Sequence, residues 1–543
     1  MSEISQLKQR ISQLQGRIAH LNEIGVALSS EKNTDKLFEM ILDAGQKITN
    51  ADGRTLYMKN QDGNLDFKIL LNESMKTHSG GTSGVKIPFY PVKLWLDEGT
   101  PNHANVSAYV ALTGKTVHID DAYEEDGFDF SGTKGFDQKT GFRSKSFLTV
   151  PLKNHEDDII GVMQLINARD KDGNVINFSD EMQAQVESIA SQGAVALTNK
   201  KLVEELKTLF EAFIKLIAVA IDKKSPYTGG HCERVPIITM MLADAVEKTD
   251  YGKYKDFSMN DDERYELYIA SWLHDCGKVA TPPHIVDKGT KLETIYDRIG
   301  LINTRFEVLR RNAKIKYLEQ KVGLYEASEQ TIQKIKDDYD SQLKQIDDDQ
   351  AFIEHVNHGG EFMEKNLQDR VLDIAKYPYS ENGIEKPFLS DEEVNNLNIP
   401  KGTLTDEERT IINDHIVITI DMLQKLPYPK QLKNVPEFAG GHHEKIDGTG
   451  YPKGLIGDQM SVQAKMMAIA DIYEALTAAD RPYKDGKKLS QAMRIMGYMK
   501  NDYHIDPDLF EIFVKEGIYK KYAGEYVDSV QIDRVQEDDF ILS

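Results

Sequence analysis

The chain has 543 residues, too many for one ordinary domain and enough for two or three well-buried ones. Its net charge of −22 argues against general affinity for nucleic acid or an anionic membrane, so a phosphate-bearing ligand must meet metal ions or a few placed cations. Only two cysteines occur, Cys232 and Cys276, which excludes a disulfide framework; with a polar N-terminus and no apolar run long enough to span a bilayer, a cytoplasmic location is expected.

Residues 1–30 read as a helix. Ile4, Leu7, Ile11, Leu14, Ile18 and Leu21 recur in steps of three and four, a heptad-like stripe suited either to packing on the helix's own domain or to forming a homodimer.

From 31 to 198 the pattern becomes α/β. Thr34 is placed to cap a helix through Ile48, and short alternating runs follow, separated by Gly and Asp turns. Two of these runs, SFLTVPLKN and DIIGVMQLINA, flank NHEDD as a hairpin would. A long helix then opens near Ser179, with Glu181 in its first turn, and leaves the domain through a connector at about 190–215. The segments LTGKTVHIDDAY, GFRSKSFLTVPLKN and IIGVMQLINARDKDGNVINFSDE resemble a GAF domain, a small-ligand sensor fold. Asn167, Arg169, Phe178, Asp180 and Glu181 loosely echo a motif of GAF domains that bind cyclic nucleotides. The resemblance implies a small ligand, such as a cyclic nucleotide, or a structural dimerising role.

Residues 211–520 read as an all-helical domain interrupted by an insert at about 289–400. In the insert, Ile299, Ile302, Phe306 and Leu309, then Ile332, Ile335, Tyr339, Leu343 and Ile346, recur at helical spacing among many charges. This predicts an antiparallel helical pair that either decorates the fold or covers its site.

The helical domain carries an unusual set of metal-type side chains. LHDCGK puts His274 and Asp275 at the end of an apolar run, where an uncompensated carboxylate is costly. GGHHEKIDGTGYP places His442 beside His443, and AKMMAIADIYEAL sets Asp471 on an apolar helix stripe. His231 and His415 stand in similar settings. Five imidazoles and two carboxylates without thiolate suit divalent transition metals such as Fe, Mn, Co, Ni or Zn and argue against Mg or Ca alone; two ions, Fe or Mn, are expected. Seven ligands exceed the needs of one ion. With Asp275 shared, one ion takes His231, His274, Asp275 and Asp471; the other takes Asp275, His415, His442 and His443. A pair about 3.5–4 Å apart, bridged by hydroxide, would drive in-line attack on phosphorus.

The segments SPYTGGHCERV, LHDCGKVATPPHIV, HIVITIDML, AGGHHEKIDGTGYPKGL, AIADIYEALTAADRPYK and YHIDPDLF resemble the HD-GYP family over about 211–287 and 400–515. The resemblance implies a multidomain protein in which an α/β GAF sensor precedes an all-α catalytic domain of the HD superfamily. It implies a cyclic di-GMP phosphodiesterase yielding pGpG or GMP, and it supports each of the seven ligands. It further implies that Lys278 meets a substrate phosphate and acts beside Asp275, and that Arg481 and Lys484 add phosphate or guanine contacts. A surface role for Lys278 and a capping role for Arg481 stay open. Tyr451, in the turn Asp447-Gly448-Thr449-Gly450-Tyr451-Pro452, is a substrate contact by resemblance; its sequence supports only a rigid turn. Tyr227 stands where some relatives carry an acidic ligand for a third metal, so two metals are expected. Another cyclic dinucleotide, such as cyclic GMP-AMP, is the alternative substrate, and a non-catalytic cyclic di-GMP sensor the alternative role.

Overall fold

The computed structural model describes residues 11–12, 15, 19, 22–96, 99–224, 230–323, 328–360, 362–381, 383–479 and 486–540. The chain divides into two compact units, Met1–Leu209 and Phe210–Ser543. Of the N-terminal stripe only Ile11 is described, helical and exposed; Ile4, Leu7, Leu14, Ile18 and Leu21 lie outside the described residues.

The first unit opens with helix α1, Thr34–Thr49. Its N-cap is Asn33, one residue before the expected Thr34, because the Asn33 side chain accepts a hydrogen bond from the Lys36 amide. Strands β1 (Gly53–Lys59), β2 (Leu65–Asn72) and β3 (Thr77–Gly80) follow, then α2 (Val106–Thr113), β4 (Val117–Ile119), α3 (Ser131–Thr140), β5 (Phe147–Lys153) and β6 (Ile159–Ile166). They form an antiparallel six-stranded sheet in the order β3-β2-β1-β6-β5-β4, with β5 and β6 joined as the expected hairpin. A two-stranded ribbon, β7 (Ala168–Arg169) with β8 (Val175–Ile176), leads into helix α4, Asp180–Lys224.

The sheet's period of two sorts its side chains. Leu56, Leu148, Val150, Met163 and Leu165 share a core with Ile41 of α1 and Val186 and Ile189 of α4. Tyr57 and Val162, one residue out of phase, pack with Ala108 and Ala111 of α2. Beyond its packed stretch, α4 exposes Leu202, Leu206, Leu209, Phe213 and Leu216, each between 45% and 64% exposed and spaced four, three, four and three residues apart.

In the second unit, α5 (His231–Lys248), α6 (Asp261–Leu273), a 3-10 turn (Cys276–Ala280) and α7 (Pro283–Val286) come first. The insert comprises α8 (Ile299–Val322), α9 (Glu329–Asn357), α10 (Lys365–Ala375), a hairpin of β9 (Pro378–Glu381) and β10 (Ile384–Pro387), and α11 (Asp391–Leu397). Helices α12 (Asp406–Gln424), α13 (Val435–Gly440), α14 (Val462–Thr477), α15 (Leu489–Asn501), α16 (Pro507–Lys515) and α17 (Ile518–Tyr526) complete the unit. Pairings such as Asn303–Glu354 and Arg310–Asp347 show that α8 and α9 run antiparallel, as the sequence spacing predicts. The insert also has a core of its own, built on Phe306, Ile353, Val371 and Phe388. The main core draws on Ile214 and Ile221 from the end of α4 and on α5, α6, α14, α16 and α17. Among the described residues no helix is long and apolar enough to cross a membrane.

The cyclic-nucleotide echo takes on a structural meaning in the first unit. Asn167, buried with a φ of 58°, accepts hydrogen bonds from the Lys145 and Ser146 amides and donates to the Arg143 carbonyl. Arg169 pairs with Glu73 and the Asn50 carbonyl, and Phe178 lies in the core. Asn167→Ala is expected to destabilise this unit by about 1–3 kcal/mol, the cost of buried polar groups left unpaired. Thermal unfolding of the full chain checks this: unchanged melting would remove Asn167 from the architecture.

Candidate metal centre

Five separate stretches of the second unit deliver the metal-type residues to one place. His231 is the first residue of α5; His274 and Asp275 follow the last turn of α6; His415 lies within α12; His442 and His443 follow α13; Asp471 lies within α14. They form two groups: His231, His274, Asp275 and Asp471, and Asp275, His415, His442 and His443. Within each group the ligand atoms lie within 4.8 Å of one another. All seven predicted residues are therefore brought together, in the division expected.

Asp275 is the shared member. Its Oδ2 lies 3.2 Å from Nε2 of both His231 and His274, while its Oδ1 lies 3.2 Å from Nε2 of His415. Asp471 Oδ1 lies 3.2 Å from His231 Nε2. Asp275 Oδ1, His415 Nε2 and His442 Nε2 are buried with no hydrogen-bond partner, a costly state that divalent ions would relieve. These residues fit the metals that the sequence implies.

The histidines are oriented from behind. His274, His415 and His442 each set Nδ1 against the carbonyl three residues earlier, those of Ser271, Ile412 and Ala439. That leaves Nε2 as the ligating atom in all three. His231 differs: its Nδ1 meets the carboxylate of Glu474, one turn beyond Asp471 on α14, and Arg234 donates to the same carboxylate at 2.7 Å. Glu474 takes this part only once α14 packs on α5; its spacing of three from Asp471 on one helix is the signal the sequence offers.

Electrostatics follow from this crowding. Burial disfavours the charged form of Asp275, but Lys278 and His274 more than offset it, so the carboxyl stays well below the usual range. Asp471 is likewise held low against burial, chiefly by His231. Burial, reinforced by His274, pushes His442 down to about 4, and burial with His442 lowers His443, so both imidazoles are neutral, the form that binds metal. Burial lifts the Cys276 thiol to about 11, and neither cysteine joins a group.

The surrounding residues are placed unequally. Lys278 Nζ lies 2.5 Å from Asp275 Oδ2, on the first group's side of the carboxylate. The Tyr451 ring stacks on His443 at 4.9 Å and 17°, beside the second group. Glu444, buried next to the paired histidines, accepts from the Lys453 and Leu455 amides and so pins the turn that carries Tyr451. Gly450 has no room for a side chain: a Cβ would lie 2.3 Å from the Lys445 amide nitrogen. Gly277 is equally constrained, since a Cβ would lie 2.0 Å from the His415 carbonyl oxygen; its amide donates to Thr419 Oγ1 at 2.9 Å. Arg481, Lys484 and Tyr227 lie outside the described residues.

The first unit holds a separate cavity of about 500 Å³ between the sheet, α2 and α3. Tyr57, Phe67, Phe89, Phe130 and Phe136 supply aromatic walls, and Gln164, bonded to Tyr57, Ser107 and Thr149, supplies a polar edge. The residues of the cyclic-nucleotide echo are not among its lining.

Comparison with known proteins matches a GAF domain model to residues 33–197 and an HD domain model to residues 382–509. The chain is 43% identical over 142 residues to a cyclic di-GMP phosphodiesterase of Pseudomonas aeruginosa, covering 26% of this chain and 33% of that one. It is 37% identical over 116 residues to a 3'3'-cGAMP-specific phosphodiesterase of Vibrio cholerae, covering 21% and 24%. A cyclic di-GMP phosphodiesterase of Thermotoga maritima is 27% identical over 247 residues, covering 42% of this chain and 64% of its own. The chain thus spans less than two thirds of the length of each of these relatives. It carries a GAF domain followed by an HD domain.

Proposed function

We propose that the chain is an HD-GYP phosphodiesterase that hydrolyses cyclic di-GMP to pGpG or GMP at two divalent metals, Fe or Mn. The observation that carries this reading is Asp275, whose two oxygens face two separate groups of buried imidazoles and carboxylate. The ions would supply a water deprotonated near neutral pH and would offset charge on the phosphoryl oxygens. The chain's own residues do the rest. His231, His274, His415 and His442 would hold the centre through Nε2 with His443 beside them, and Asp275 and Asp471 keep it anionic enough to retain two dications. Lys278, the cation nearest Asp275 Oδ2, is placed to exchange that contact for a substrate phosphate. Tyr451, Arg481 and Lys484 complete the substrate contacts in this reading.

A second substrate, cyclic GMP-AMP, is favoured by the likeness to a 3'3'-cGAMP-specific relative. Parallel turnover of both dinucleotides, with Fe(II) or Mn(II) restored to protein purified without air, separates the two. Two metals per chain and preferential formation of pGpG or GMP are expected. Two metals with binding but no hydrolysis of either compound would make the site a sensor. Asp275→Ala is expected to lose both metals, and His274→Ala to cut turnover by more than about 100-fold, beyond the loss typical of an outer-shell partner. An active, metal-replete Asp275→Ala protein would sink the assignment.

The same reading makes the protein a cytoplasmic homodimer regulated by its GAF domain, which takes a small ligand such as a cyclic nucleotide. The aromatic walls of the GAF cavity support a planar ligand. The exposed stripe Leu202, Leu206, Leu209, Phe213 and Leu216 has the alternating spacing of a coiled-coil seam and supports dimerisation along α4. Leu206→Glu with Leu209→Glu should convert a dimer to a monomer by light scattering. A wild-type monomer, or a double variant that stays dimeric, rules this seam out.

A further inference from the structure

Helix α5 begins abruptly at His231. Its N-cap is Gly230, with a φ of 83° and no side-chain cap, so the first turn of the helix that carries a metal-type histidine lacks a local acceptor. The acceptor comes from the preceding helix. Asp222, in the last turn of α4 and 5% exposed, takes the Gly230 amide at 3.1 Å and the Cys232 amide at 3.2 Å through one oxygen, Oδ2. Those two amides bracket His231.

Two residues further along α4, Lys224 reaches a second segment that carries ligands. Its Nζ donates to the carbonyls of Lys278 at 3.2 Å, Val279, and Thr281 at 2.7 Å. Those carbonyls lie in and just after the 3-10 turn Cys276–Ala280, which follows His274 and Asp275 directly and contains Lys278. A single turn of one helix thus holds two of the segments that carry the first metal group, with an anion on donors and a cation on acceptors.

We propose that the last turn of α4 is a positioning element of the metal centre: Asp222 fixes the amides that flank His231, and Lys224 ties down the chain that follows Asp275. Neither residue is within the two metal groups. Each acts through backbone that carries a ligand, so neither is catalytic. Because α4 starts at Asp180, inside the GAF domain, the helix that leaves that domain ends on the metal centre. A twist or slide of the helix would move His231 and the Asp275–Lys278 turn together, which gives regulation a physical route to the first group.

This inference rests on the metal-centre reading but not on the identity of the substrate. It is tested on the full chain, stripped of metal and titrated with Mn(II) against a competing chelator, with melting of the metal-free protein followed alongside. Asp222→Ala and Lys224→Met are each expected to weaken binding of one Mn(II) by about 10–100-fold, the range for partners that orient a ligand, with little change in metal-free melting. Asp222→Asn and Lys224→Arg, which keep an acceptor and a donor in place, should recover most of the affinity. If Asp222→Ala fails to fold, Lys224→Met with its Arg rescue still decides the matter. A wild-type chain that binds no Mn(II) overturns the metal-centre reading and this inference together. A wild-type chain that binds two, with Lys224→Met and Asp222→Ala binding as tightly, overturns this inference alone.

Discussion

The carboxylate of Asp275 sets the terms for the whole second unit. It is 1% exposed, yet it remains ionised, and an isolated carboxylate transferred from water into such a place would cost far more than a domain's net stability. The protein alone meets only part of that demand. Lys278 and the imidazoles of His231 and His274 face Oδ2, whereas Oδ1 has no hydrogen-bond partner and sits opposite the equally unpartnered Nε2 of His415. A group of buried acceptors pointed at one another is unfavourable unless cations stand between them, and that is the physical sense in which metal would complete the fold.

The constraint propagates outward through close approaches that few residues allow. The turn after Asp275 must press against α12 so that His415 can reach Oδ1, and only glycine fits at 277, with its amide spent on Thr419. Glu474 and Arg234 stand behind His231; Glu444 and Gly450 stand behind the paired histidines and Tyr451. These contacts are nearly all directional and nearly all buried. Substituting any of them changes where a ligand points before it changes the core, because the core proper is made by other side chains, such as Leu267, Met466, Phe510 and Tyr519.

The sequence disclosed the centre more completely than its surroundings. Paired His-Asp and His-His steps embedded in apolar helices are conspicuous because burying them has no cheap alternative, so all seven residues could be read along with their division around Asp275. The helical hairpin of the insert was legible for the ordinary reason that apolar residues recur at helical spacing. What could not be read were partners chosen by the tertiary fold. The Glu474 carboxylate is an unremarkable helix acid until α14 lies against α5. The β9–β10 hairpin, whose second strand is exposed throughout, carries too few apolar residues to announce itself. The cap at Asn33 rather than Thr34 reflects two adjacent cap-forming residues whose choice depends on where the backbone first turns helical. The GAF echo carries structural tasks of its own. Asn167, Arg169 and Phe178 recur in such a pattern because a chain leaving β6 must turn, tie back to β5 and start a packed helix, and those tasks need the same residue types that a ligand motif uses.

The long insert poses the question of how more than a hundred residues can separate His274 from His415 without loosening the centre. Its two ends meet. Thr403 Oγ1 donates to the Lys288 carbonyl at 3.0 Å, and Lys288 Nζ, itself buried, reaches Asn396 at 3.1 Å and Glu408 of α12 at 2.7 Å. Lys291 donates to the Leu397 and Ile399 carbonyls, closing the base a second time. Between these ties the insert satisfies its own apolar residues around Phe306 and Phe388, so it asks nothing of the core beneath the metal groups. Loop-closure entropy rises only with the logarithm of length, so once the ends are fastened and the interior folds on itself, the added chain costs the join little more than a short loop would. His415 is therefore held by the packing of α12 against the Cys276–Ala280 turn, whatever length of chain intervenes.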